Sequence, residues 1–122
     1  MKVTSMMFAI LTALMIGEVQ ADTKAGKKVF NKCKACHVIN KAKHRAGPSL
    51  KGIMGRKAGT VEGFKRYSKA LKESGVTWNV ENLAAYLKDP KGFIPKNRMT
   101  FRGLKKQKDI DAVIAYIQEA SK

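Results

Sequence analysis

Both cysteines of the chain fall within five residues, Cys33-Lys34-Ala35-Cys36-His37. Two thiols are too few for a disulfide-stapled scaffold or a four-thiolate zinc site. On a helix, positions three and four apart share a face, so Cys33, Cys36 and His37 can point toward one flat ligand. The pattern matches the c-type haem attachment motif, in which each thiol adds to a vinyl group as a thioether and the histidine sits beneath the iron. Two other chemistries fit poorly. A thioredoxin-like redox pair needs a surrounding βαβ pattern, which the sequence lacks, and four-coordinate zinc needs a further ligand beside the three motif residues, for which His44 is the one remaining histidine.

Residues 1–21 read as a signal peptide. Lys2 precedes an apolar run from Met6 to Ile16, and Val19-Gln20-Ala21 offers small residues for cleavage after Ala21. The run is well short of the roughly 20 residues that span a membrane, so a cleaved leader and export to the periplasm are expected rather than an anchor. The leader holds one basic and one acidic residue, Lys2 and Glu18, so the formal charge of +16 belongs to the mature domain, residues 22–122. A surface so basic seeks an anion, and charge alone does not choose among nucleic acid, acidic lipid and acidic protein. A domain of this size buries only about 60–65% of the surface its unfolded chain exposes. A large apolar cofactor would supply the missing core.

Periodicity predicts an all-α domain. Thr23 to Lys34 carries Ala25, Val29 and Phe30 at helical spacing and should run into the cysteine motif. Asn79 to Lys88 sets Val80, Leu83, Ala84 and Leu87 on one stripe, with Asn79 as N-cap and Pro90 as a stop. Asp109 to Ala120 places Ile110, Val113, Ile114 and Ile117 on another. A shorter turn over Ser68 to Glu73 should end at Gly75, and Arg45 to Gly63, with five glycines, reads as an irregular loop. No segment alternates as a strand does, and no internal repeat appears.

Several further segments resemble the class I cytochrome c family, particularly soluble mitochondrial-type and alphaproteobacterial members. They are the Gly26 to Phe30 helix, the haem motif, Gly47-Pro48-Ser49-Leu50, Gly55-Arg56-Lys57, Tyr67, Thr77-Trp78, Tyr86-Leu87 and Pro95 to Phe101, spread over nearly all of residues 22–122. The resemblance implies a small cytochrome c fold, three main helices plus short turns and long loops wrapped around one covalently bound haem c. It also implies that the first and last helices pack through Gly26, Phe30, Val113 and Tyr116.

Four of the six methionines lie in the leader, leaving Met54 and Met99 as candidate sulfur ligands opposite His37. Met54, flanked by Gly52 and Gly55, suits a core filler. Met99 follows Pro95 in a segment kept from being helical, and with the family match it is the expected sixth ligand. His44 is expected to stay near His37 as a hydrogen-bonding histidine. In similar proteins the residue matching Pro48 offers its carbonyl to the histidine ligand. By the same resemblance Arg56, Tyr67 and Trp78 serve the haem propionates, Tyr86 lies near the methionine sulfur, and Phe101 shields the haem edge. Three departures stand out: Ser49 where many relatives have asparagine, Leu71 where mitochondrial forms have asparagine, and Asn97 where threonine is common.

With both axial positions filled, the iron keeps no open site for a substrate. The expected role is therefore a soluble, monomeric, periplasmic electron carrier between membrane-bound redox complexes, not an enzyme. A haem enzyme or ligand sensor with a labile methionine is the alternative. Lys27, Lys28, Lys32, Lys91, Lys96, Arg98, Lys105 and Lys106 flank the segments expected around the haem edge. They would steer docking onto acidic rims of a cytochrome bc1-type reductase and a cytochrome c oxidase, with peripheral membrane contact allowed. Nucleic-acid binding would rest on charge without a reading motif and is not expected.

Overall fold

The computed structural model describes residues 23–122, so the leader and its cleavage site lie outside the described residues. The helices are α1 (Thr23–Phe30), α2 (Lys69–Glu73), α3 (Val80–Lys88), α4 (Pro90–Phe93) and α5 (Gln107–Ala120). Among the described residues there is no strand. Two isolated antiparallel bridges, His37 with His44 and Lys57 with Thr77, tie the loops together.

The core forms where α1 crosses α5. Gly26 lets the backbones meet: a Cβ there would lie 2.6 Å from that of Tyr116 and inside the contact distance of the Ala112 carbonyl oxygen. Phe30 then packs its ring on Tyr116, with centroids 5.4 Å apart. Val113 and Ile110 beside them are buried, as are Ile114 and Ile117 farther along α5. This is the stripe that periodicity predicts, and it is the α1–α5 pairing expected.

Other boundaries differ from expectation, each for a local reason. The α-helical run of α1 ends at Phe30, not Lys34, because Cys33 N–H bonds back to Phe30 O (2.8 Å), three residues away, tightening the chain into successive turns. α3 is capped as predicted, Asn79 Oδ1 accepting from Asn82 N (2.8 Å). Pro90 ends α3 and also begins α4, where its missing N–H costs nothing at the first helical position. Asp89 serves both helices, its backbone closing α3 and its carboxylate accepting from Gly92 N (3.0 Å). α5 starts at Gln107, whose side chain donates to Asp111 (2.8 Å). Between α4 and α5 the chain carries Met99 and returns to α3 through Leu104 N–H, which donates to Leu87 O (2.8 Å).

Candidate haem site

The cysteine motif occupies one tight turn. Cys33 O accepts from both Cys36 N (3.1 Å) and His37 N (3.0 Å), so the three motif residues share a single carbonyl. Burial, followed by the neighbouring Cys36, pushes the Cys33 thiol up to about 11 against the opposing pull of Lys32. A site that penalises thiolate suits an uncharged thioether better than a reactive redox pair or a metal thiolate. Among the described residues no group of three or more His, Cys, Asp or Glu side chains could hold a metal ion.

His37 is fixed on two sides. Its Nδ1 lies 2.7 Å from Pro48 O, and because a carbonyl only accepts, Nδ1 carries the proton and Nε2 keeps a free lone pair. Gly47 lies against the imidazole: a Cβ there would stand 2.7 Å from Nδ1 and 2.8 Å from Nε2. Burial holds His37 below its ordinary range, with the Pro48 bond opposing, so the ring is kept in the neutral form that can bind a metal.

His44 forms a bridge. Its Nδ1 accepts from Ser49 N (3.0 Å), which leaves Nε2–H to donate to Glu62 O (2.8 Å) and ties together the loops around Ser49 and Glu62. Ser49 is buried and donates its hydroxyl to Lys41 O (2.5 Å), so the short side chain serves a hydrogen-bonding role of its own.

Met99 is half-buried against the core, and its sulfur lies 3.9 Å from the hydroxyl of Tyr86, which donates to it. Tyr86 packs on Trp78, with centroids 4.9 Å apart, and Phe101 is half-buried against the same core. Desolvation pushes the Tyr86 phenol up to about 12. Tyr67 is buried, accepts from Val61 N (3.1 Å) and meets Phe64 edge-on. Desolvation raises its phenol, against the Val61 bond and the charge of Arg56. Met54 packs on the core, as its flexible side chain suggests.

Arg56 supplies the most direct test of fit. Its Nη1 is buried and has no hydrogen-bond partner. A buried guanidinium nitrogen without an acceptor is costly, and an anionic group such as a haem propionate would satisfy it. The donor set therefore fits a haem: two thiols, an oriented imidazole, a thioether sulfur and an unsatisfied cation. Gly47 was not among the candidates read from sequence. The signal that marks it is a glycine directly before Pro48, in a loop facing a ring that needs close approach.

The cytochrome c family model matches residues 23–121. The chain belongs to the cytochrome c family. It is 47% identical over 102 residues to cytochrome c-550 of Nitrobacter winogradskyi, covering 83% of this chain and 93% of that protein. It is 49% identical over 98 residues to cytochrome c2 of Afifella marina, covering 77% and 78% of the two chains. The solved structure of cytochrome cH from Methylobacterium extorquens superposes with a TM-score of 0.74 at 44% identity, covering 80% of this chain and 97% of that one. As a class I cytochrome c, the chain carries one haem c attached through Cys33 and Cys36, and it is an electron carrier rather than an enzyme.

Proposed function

We propose that this cytochrome c is exported to the periplasm and passes single electrons between membrane-bound redox complexes, with His37 and Met99 as the axial ligands of its iron. The observation that carries the ligand assignment is the pairing of two hydrogen-bond-oriented donors, His37 on Pro48 O at 2.7 Å and the Met99 sulfur beside the Tyr86 hydroxyl at 3.9 Å. When bound, haem c supplies a one-electron ferric/ferrous couple. Pro48 holds His37 in one orientation and raises its basicity. The Met99 thioether, a soft neutral donor, favours the reduced state. Arg56, Tyr67 and Trp78 would receive the propionates, and Tyr86 and Phe101 would shield the site from water. Nothing need move far when the charge changes.

The eight cations named above are all exposed, and the ion pairs Lys69–Glu73 and Lys122–Glu119 do not involve them. They are the proposed docking surface for acidic rims of a reductase and an oxidase of the respiratory type, each met by a monomer. No helix among the described residues is long and apolar enough to cross a membrane. Export rests on residues 1–21, and mass spectrometry of protein from a competent host should show a chain starting at Asp22 with one haem added.

The ligand assignment is tested by Met99→Ala. The native protein should bind cyanide or carbon monoxide slowly at neutral pH, and the variant rapidly, with loss of the sulfur-to-iron charge-transfer band. Rapid binding by the native protein would instead indicate an open coordination position and overturn the assignment.

A further inference from the structure

The segment that presents Met99 is held by one buried amide. Asn97 is 4% exposed, although its neighbours Lys96 and Arg98 are exposed. Its Nδ2 donates to Pro90 O and to Ile94 O, both at 2.8 Å, and its Oδ1 accepts from Met99 N at 2.9 Å. Reversing the amide would set two donors against each other at Met99 N–H and two acceptors against each other at the carbonyls, so the orientation is determined. The Asn97 carbonyl accepts from the ammonium of Lys91 on α4, a second tie across the same loop.

These bonds hold a backbone that resists its shape. Lys96 has φ of 67°, the one non-glycine residue with positive φ among the described residues. A side chain with a Cβ is disfavoured there, and such a turn persists only where its surroundings over-determine it. The adjoining Asn97 amide provides that determination by tying the start of α4, the residue that caps its end and Met99 N–H to one point.

We infer that Asn97 is a positioning residue that keeps Met99 closed over the iron, so that loss of its amide opens the sixth coordination position to exogenous ligands while the rest of the domain stays folded. The inference rests on the reading of Met99 as an axial ligand. A threonine in this position would still accept from Met99 N–H through its hydroxyl, as serine and threonine do in short turns, but its single hydroxyl proton can serve at most one of Pro90 O and Ile94 O. The knot can therefore be weakened in part by Asn97→Thr and removed by Asn97→Ala.

The experiment uses the full haem-loaded protein as Asn97→Ala, Asn97→Thr and Met99→Ala variants beside the parent. Cyanide association with the ferric form and the far-red sulfur-to-iron band report on Met99, and helical circular dichroism on thermal melting reports on the whole fold. Asn97→Ala should bind cyanide about tenfold faster or more, the ratio corresponding to loss of one net hydrogen bond from the closed state. Asn97→Thr should fall between it and the parent, and Met99→Ala should be fastest. A cyanide rate for Asn97→Ala no more than about twofold above the parent, with Met99→Ala fast, overturns the inference and leaves the ligand assignment standing, even if the melting midpoint falls. A Met99→Ala rate equal to the parent overturns the assignment and the inference together. If Asn97→Ala does not fold, Asn97→Thr decides: faster than the parent supports the inference, and equal to the parent overturns it.

Discussion

His37 and Arg56 sit at opposite ends of what hydrogen bonding can satisfy within the polypeptide. His37 finds Pro48 O, whereas Arg56 Nη1 finds no partner. Arg56→Leu should therefore destabilise the haem-loaded protein by about 1–3 kcal/mol, as expected for a lost hydrogen bond to a charged group. Guanidinium unfolding of the two proteins measures the difference. Tyr86 sets a pH dependence. Its phenol lies near 12 when folded against 10.0 unperturbed, so its contribution to stability is complete below pH 10 and is lost as pH rises through 12. Tyr86→Phe should lose stability less steeply than the parent over that window, as read from denaturant midpoints in steps of pH. Much at this scale was legible beforehand, since Cys33, Cys36 and His37 announce themselves by spacing and chemistry. Asn97 could be seen only as a departure, because its bonds to Pro90, Ile94 and Met99 depend on how a non-helical loop turns back on itself.

At the scale of elements, apolar periodicity located α3 and α5, and the asparagine and proline signals placed the ends of α3 well. α1 ends at Phe30, short of the expected Lys34, because apolar spacing does not distinguish an α-helix from the tighter turns that replace it there. α4 has no signal of its own for a related reason: Pro90 reads as a stop, and the same residue is also suited to start a helix. The α1–α5 crossing gives a sharp prediction. Gly26→Val has to push against Ala112 and Tyr116, so it should cost about 1–3 kcal/mol or more through overpacking, measured as a lowered thermal midpoint. Gly103→Ala should also destabilise. Its φ is 107° and its Cβ would stand against the Lys88 and Leu87 carbonyls, so contact and backbone strain act together.

For the whole molecule, a charge of +16 sets how it meets other proteins. Exposed charges are screened over about 8 Å at physiological ionic strength, so association with an acidic redox partner should slow steeply as salt is added. Replacing Lys27 and Lys32 by glutamine should lower the association rate at low salt while leaving the visible spectrum unchanged, which stopped-flow mixing would show. The fold class was legible from helical stripes and the absence of alternation. The long loops were not, because their paths depend on bridges such as His37 with His44 and Lys57 with Thr77, which have no periodic signature. The α1–α5 crossing has a further consequence for biogenesis. α1 can complete its core only after α5 has been synthesised, so a growing chain remains open through translation. Cys33, half-buried in the folded domain just beyond α1, thus stays open to haem attachment until the last helix docks.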